Sequence, residues 1–192
     1  MNVANRLTVS RIVLTFVFMF FLFCKGLAAK SAAFLIFSLA AISDYLDGHI
    51  AKKKNIISDF GKFMDPIADK ILILAAFAAF VQMHLIEAWV LVIIISRELL
   101  ITSLRLFALN KGRVLAASRS GKHKTAFQMF VVFCILGFLL LKEAMLRFFT
   151  WNPDWEKFFH HGIYILMWVV VCLTLYSGIS YLWENRKVIT KI

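Results

Sequence analysis

The stretch SDYLDGHIAKKKNIISDFGKFMDPIADK, residues 43–70, decides the architecture of this chain, and long apolar runs flank it on both sides. Within it, Asp44 and Asp47 are three positions apart, and Asp65 and Asp69 are four apart. On helices, each of these pairs shares one face. Carboxylates at a bilayer boundary are costly, and a hard divalent cation between them removes their mutual repulsion. The pattern therefore predicts a metal site at a membrane surface, made by two facing helices.

The composition independently predicts a membrane protein. The chain has 192 residues, of which 61% are hydrophobic, and its mean hydropathy is +0.81. This length predicts one domain, 1–192. Six apolar stretches approach the length of a spanning helix and lack the alternation of a barrel strand. They run 7–24, 31–51, 63–82, 86–108, 125–142 and 160–183. We predict an all-α polytopic protein with six transmembrane helices.

The basic residues predict the orientation. With both termini in the cytoplasm, 16 of the 22 Lys and Arg residues face that side and five face the other, with Arg97 inside a span. This is a strong positive-inside bias, and it places the aspartates at the cytoplasmic interface. The net charge of +11 agrees with this topology and with attraction to anionic lipid, so no nucleic-acid partner is expected.

The N-terminal residues and the cysteines receive structural interpretations. The opening NVANRLTVSR is amphipathic, which favours an interfacial segment ahead of a retained first helix rather than a cleaved signal peptide. Cys24, Cys134 and Cys172 are scattered without metal-ligand spacing and are interpreted as packing residues.

Seven residues of the acidic stretch resemble the signature of the CDP-alcohol phosphotransferases, D-x2-D-G-x2-A-R followed after eight or nine residues by G-x3-D-x3-D. They are Asp44, Asp47, Gly48, Ala51, Gly61, Asp65 and Asp69. Eight residues separate the two halves here, so the spacing matches. Lys52 stands where the family usually has Arg, which keeps the charge and loses the planar fork.

Further segments are similar to bacterial phosphatidylglycerophosphate synthases. These are the opening NRLTVSRIVL, SRELLITSLR (96–105) and GKHKTAFQM (121–129). The resemblance implies transfer of a phosphatidyl group from CDP-diacylglycerol to sn-glycerol 3-phosphate, with release of CMP. It also implies a homodimer in the cytoplasmic (inner) membrane of a bacterium, with the active site facing the cytoplasm.

The same resemblance implies roles for individual residues. Two divalent cations, Mg²⁺ or Mn²⁺, would be bridged by Asp44 and Asp65 and completed by Asp47 and Asp69. Asp69 is the candidate base for the attacking hydroxyl. The candidate CDP-binding residues are Asn5, Thr8, Gly48, Ala51, Lys52 and Gly61. For the glycines and Ala51 the competing interpretation is helix packing, and for Asn5 and Thr8 it is capping and interface anchoring.

A phosphorylated acceptor requires positively charged side chains to bind its phosphate. The region from about 105 to 124 is basic. Arg105, Lys122 and Lys124 match the subfamily and are the candidate ligands of the acceptor phosphate. The competing interpretation is a positive-inside loop at lipid headgroups. Arg97 and Glu98 lie within the fourth span, where an internal ion pair or hydrogen-bond network is expected. Glu98 and Arg105 are seven apart, which predicts that both point into the bundle.

Other functions remain open at this point. A cardiolipin synthase of the same fold, with phosphatidylglycerol as acceptor, is the chief alternative, followed by enzymes with inositol phosphate or serine acceptors. A metal-ion transporter would be expected to carry its acidic residues near mid-bilayer on several helices. A purely structural membrane protein accounts for the spans and for nothing else.

Overall fold

The computed structural model describes residues 3–50, 59–112, 115, 119–149 and 151–189, with side chains at 9–43, 70–112, 115, 121–149, 151–152 and 154–186. Over these residues the chain is helical and contains no strand, which confirms the predicted all-α class. Six helices follow one another: α1 Val3–Phe23, α2 Leu27–Ile50, α3 Asp59–Gln82, α4 Ala88–Asn110, α5 Arg119–Phe148 and α6 Pro153–Ile189.

Each of the six predicted apolar stretches coincides with one helix. The largest difference is at the ends of the last helix, predicted over 160–183 and observed as Pro153–Ile189. A count of apolar residues stops where polar side chains begin, but the backbone hydrogen bonds of a helix continue through them. Likewise α1 begins at Val3, so the residues predicted to form an interfacial segment are the first turns of that helix.

The chain forms two compact units. The first contains Met1–Ala79 and Val132–Glu156. Its core is aromatic: Phe37, on α2, lies with its ring centroid 5.3 Å from Phe18 on α1 and 5.2 Å from Phe133 on α5. Phe18 and Phe37 are fully buried. These edge and tilted ring contacts are the favourable arrangements for aromatic pairs, and they hold three helices together.

The second unit contains Phe80–Val131 and Lys157–Ile192. Ile101, Ala108, Leu115 and Tyr181 form a buried apolar cluster between α4 and α6. Polar pairs lie in the same unit, among them Gln128 Nε2 donating to Thr174 Oγ1 at 3.5 Å. A polar group buried in an apolar setting needs such a partner, so this unit combines an apolar core with fixed polar contacts.

The end of α4 is shaped by Gly112. This residue has φ of +70°, the left-handed conformation that glycine adopts without a steric penalty. Its N–H donates to the Leu109 carbonyl at 2.9 Å and closes the last turn of the helix. The chain leaves α4 here and enters the basic region.

Two helical segments are long and apolar enough to cross a membrane by length and composition alone. Among the residues whose side chains are described, these are Gly121–Phe148, with a mean hydropathy of 2.3, and Asp154–Arg186, with 2.0. Shorter apolar segments lie at Val9–Phe23, Leu27–Ser43 and Lys70–Gln82. The helical, apolar character is consistent with a membrane protein.

Candidate active site

The four predicted metal ligands lie on two helices. The backbone is helical at 44 and 47, in the last turns of α2, and at 65 and 69, in α3. The spacing therefore puts each pair of positions on one helix face, as the sequence predicted. The side chains of these residues lie outside the described part, so the metal role stays a prediction. The C-terminal end of α2 carries the negative pole of the helix dipole, which favours a cation there.

The described acidic, histidine and cysteine side chains are possible metal ligands besides the four aspartates. Among the residues whose side chains are described, no group of three or more such residues is arranged to hold an ion. The four aspartates supply hard oxygen ligands, which is the donor chemistry that Mg²⁺ and Mn²⁺ take.

The predicted CDP-binding residues fall on three helices and one undescribed segment. Asn5 and Thr8 belong to the first turns of α1, Gly48 to α2 and Gly61 to α3. Ala51 and Lys52 lie outside the described residues. Neither their contact with a nucleotide nor their competing role in helix packing is tested, and all six assignments stay predictions.

The two candidate phosphate lysines of α5 face different environments. Lys124 is 2% exposed, and its Nζ donates to Glu98 Oε1 on α4. Lys122 is exposed. Residues two apart on a helix point to opposite sides, since each residue turns the helix by about 100°. The side chain of Lys124 is therefore buried within the second unit, whereas that of Lys122 is exposed. The structure does not bring the two side chains together.

Arg105 occupies the surface near the end of α4. Its guanidinium carbon lies 5.9 Å from the ring centroid of Tyr181 on α6, in cation–π geometry. The prediction that both Glu98 and Arg105 point into the bundle holds for Glu98, which is buried, and is wrong for Arg105, which is exposed. Arg105 lies close to the helix end, where its side chain is exposed to solvent although its guanidinium group lies over the ring.

The predicted internal ion pair or hydrogen-bond network at Arg97 and Glu98 is confirmed. Arg97 Nη1 donates to Glu98 Oε1 at 3.2 Å, and the same oxygen accepts from Lys124. Arg97 Nη2 also donates to Ser177 Oγ on α6 at 2.6 Å. Sequence reasoning did not single out Ser177. A serine inside an apolar helix is a weak signal, because only the fold shows that it faces an arginine 80 positions earlier.

A separate cavity of about 430 Å³ lies at the other end of α4 and α6. Its polar lining includes His84, Glu87 and Lys157, and its aromatic lining includes Trp89 and Trp168. Sixteen residues of helix separate Trp89 from Arg105, a distance of about 24 Å along the axis. The cavity is therefore distinct from the Lys124 region within this unit.

The sequence of this chain is similar to one protein family and to several bacterial enzymes. A model of the CDP-alcohol phosphatidyltransferase family matches residues 1–176. A CDP-diacylglycerol–glycerol-3-phosphate 3-phosphatidyltransferase from Bacillus subtilis (strain 168) is 34% identical, with 97% of each chain covered. The protein of the same name from Rickettsia felis is 33% identical over 97% of this chain and 96% of its own.

A third relative has a related name. A probable phosphatidylglycerophosphate synthase from Mycobacterium tuberculosis (strain ATCC 25618 / H37Rv) is 36% identical, over 94% of this chain and 79% of that protein. The matched region includes the acidic stretch and the basic region alike. The similarity therefore extends over almost the whole length and is not confined to one motif.

Proposed function

Because this chain belongs to the CDP-alcohol phosphatidyltransferase family, we propose that it transfers the phosphatidyl group of CDP-diacylglycerol to sn-glycerol 3-phosphate. The products are phosphatidylglycerophosphate and CMP, and the enzyme acts in phosphatidylglycerol biosynthesis. The identity of the acceptor is supported by the Bacillus subtilis relative, whose name states both substrates. The match covers 97% of this chain and 97% of that protein.

The reaction is a substitution at phosphorus. A hydroxyl oxygen of the acceptor forms a bond to the phosphorus that carries diacylglycerol, and the pyrophosphate P–O bond breaks. CMP leaves with the electron pair of that bond. Asp69 accepts the hydroxyl proton as the general base, the role that the family resemblance implies for it. Holding the two substrates in line supplies much of the remaining acceleration.

The aspartates fit a pair of divalent cations. Asp44 and Asp65 would be shared between the two ions, and Asp47 and Asp69 would complete the ligand set. The support is chemical: all four are hard oxygen donors and their positions pair on one face of each helix. Mg²⁺ or Mn²⁺ bound there stabilises charge on the transferred phosphoryl group and on the leaving phosphate.

The remaining assignments concern substrate binding. The CDP moiety is bound by Asn5, Thr8, Gly48, Ala51, Lys52 and Gly61, where glycine lets a substrate approach the backbone closely. The acceptor phosphate is bound by Arg105 and Lys124, while Lys122, which faces outward from α5, adds positive charge to the region. Arginine grips a phosphate with two parallel hydrogen bonds and lysine adds point charge.

The enzyme lies in the inner membrane as a single catalytic domain with six spanning helices, and its N-terminal turns lie along the interface. Its site faces the cytoplasm, where the excess of Lys and Arg is expected. The 37 residues of α6 measure about 55 Å, which exceeds the hydrocarbon thickness of about 30 Å. Its ends therefore extend beyond the membrane. A homodimer is proposed from the family alone.

The test is CMP release from CDP-diacylglycerol by the purified protein in detergent, with Mg²⁺ or Mn²⁺ and one acceptor at a time. We expect release with sn-glycerol 3-phosphate and none with Asp65→Asn. Asp154→Asn, at the exposed start of α6, is the matched control and keeps the activity.

Other outcomes separate the alternatives. Release that requires phosphatidylglycerol instead would make the protein a cardiolipin synthase on the same scaffold. The proposed transferase activity would be overturned if no CMP were released with any of glycerol 3-phosphate, phosphatidylglycerol, inositol phosphate or serine. Metal uptake into vesicles would then test the transporter.

A further inference from the structure

Glu98 is a buried carboxylate that accepts hydrogen bonds from two positively charged side chains. Its Oε1 accepts from Lys124 Nζ on α5 and from Arg97 Nη1, at 3.2 Å, on its own helix. Arg97 is held in turn by Ser177 Oγ on α6 at 2.6 Å. Glu98 and Lys124 are 7% and 2% exposed. One chain of polar contacts thus runs from α6 through α4 to α5 within the second unit.

Stability alone is a weak explanation for this cluster. Moving charges out of water costs several kcal/mol for each ion, and replacing a buried ion pair by apolar residues is often neutral or stabilising. Ionisable residues inside apolar helices therefore point to function by default. The cluster lies beside a basic region that the proposed function assigns to an anionic acceptor.

The formal charges of Arg97, Glu98 and Lys124 do not cancel. Arg97 and Lys124 bring two positive charges to one carboxylate, so the three side chains carry a net positive charge. A lysine ammonium has three donors, and Glu98 Oε1 takes one of them. An ammonium has donors enough in general to bond a carboxylate and a phosphate at the same time.

Lysine also needs a partner to hold it in place. Its four-carbon stem is flexible, and fixing it before a ligand arrives lowers the entropic cost of binding. Glu98 is itself fixed by Arg97, and Ser177 fixes Arg97. The ammonium position of Lys124 is thus determined by residues on two other helices.

We propose that Glu98 is a positioning residue for the acceptor: it holds the Lys124 ammonium where the phosphate of glycerol 3-phosphate binds. The inference rests on the proposed function, since it assigns Lys124 to the acceptor. Glu98 acts through Lys124 and does not itself contact the substrate, because a carboxylate would repel the phosphate.

The experiment is a double-mutant cycle on the full-length protein in detergent, with KM measured for each substrate by CMP release. We expect Glu98→Gln to raise the KM for glycerol 3-phosphate by about tenfold or more, since it weakens a charge-assisted contact, while the KM for CDP-diacylglycerol stays within about twofold. In the Lys124→Gln background, Glu98→Gln should add nothing to the KM for glycerol 3-phosphate, because the lysine through which it acts on the acceptor is already gone.

Two further variants keep the test decisive. Glu98→Asp retains the charge and should restore part of the lost acceptor affinity, which also covers the case in which the Gln variant fails to fold. Glu156→Gln removes the carboxylate of another Lys–Glu pair, in which Lys142 Nζ donates to Glu156 at 2.5 Å. Both KM values of this control should match the wild type.

Several results would overturn the inference. These are an equal rise in both KM values for Glu98→Gln, additive effects in the cycle, or a Glu98→Asp variant no better than the Gln variant. The proposed function fails separately: wild-type protein would then release no CMP with glycerol 3-phosphate, whatever residue occupies position 98.

Discussion

Arg97 and Ser177 are 80 positions apart in the chain, and their side chains meet at 2.6 Å, with Arg97 Nη2 donating to Ser177 Oγ. Ser177 is fully buried. A hydrogen bond to a charged group is worth about 1.5–3 kcal/mol, more than a neutral one. This contact fixes α4 against α6 at the depth where Glu98 lies. It therefore links the packing of the second unit to the geometry of its cationic cluster.

Ser177→Ala should lower the free energy of unfolding by about 1–3 kcal/mol, because it leaves a partly buried guanidinium donor of Arg97 without its acceptor. Thermal unfolding in one fixed detergent measures the change. Ser180→Ala is the matched control, one turn later on the same helix, where Ser180 Oγ donates to Glu184 at 3.1 Å in an exposed setting. The control should change stability by less than about 0.5 kcal/mol. If both variants lost the same free energy of unfolding, the Arg97–Ser177 hydrogen bond would not be the source of the stability.

Removal of divalent cations with EDTA should stop CMP release, and Mg²⁺ or Mn²⁺ should restore it. Asp47→Asn should need a higher Mg²⁺ concentration for half-maximal activity, by about tenfold or more, because one oxygen ligand loses its charge. The measurement is CMP release as a function of free Mg²⁺, with thermal unfolding after chelation as the check on folding. Full activity of folded protein in EDTA would exclude the metal role of the four aspartates.

Arg105→Gln should raise the KM for glycerol 3-phosphate by about tenfold, since it removes a charge-assisted phosphate contact. Lys111→Gln provides the comparison, because Lys111 Nζ also lies over an aromatic ring, 5.1 Å from the Phe107 centroid, without an assigned substrate role. If the two variants shift the KM equally, Arg105 contributes only to the general positive potential of this region.

The orientation can be tested by cysteine labelling. Cys24, Cys134 and Cys172 are free thiols and would first be replaced by alanine. Asn110→Cys, at the end of α4, should then react with an impermeant maleimide from the cytoplasmic side only. Asn152→Cys, before α6, should react only from the opposite side. Labelling of both from one side would contradict the proposed topology.

The positions of the helices could be predicted from the sequence, whereas the partners of the buried charges could not. An apolar run long enough to span a membrane has few alternatives to a helix, so each predicted stretch matched one helix. The extra turns of α6 went unpredicted because polar residues at helix ends resemble loops. Helical periodicity would have separated Lys122 from Lys124.

The partner of Lys124 needs the fold. Glu98 is 26 positions earlier, on another helix, and periodicity gives only the face on which a residue lies. Arg105 shows the limit of the same argument, since it shares a predicted face with Glu98 and yet is exposed. Near a helix end, exposure depends on which neighbouring helices reach that level, and one sequence does not contain this information.

The sharing of one carboxylate by two cations also constrains how this chain can change during evolution. Losing Glu98 first would leave Arg97 and Lys124 facing each other without their common counter-charge, whereas losing Lys124 first leaves the Arg97–Glu98 pair intact. The order of substitutions therefore matters. Replacement of Lys124 should be tolerated before replacement of Glu98, and not the other way round. In related chains, an acid at position 98 should accompany a lysine at 124, and its absence should follow, not precede, the loss of that lysine.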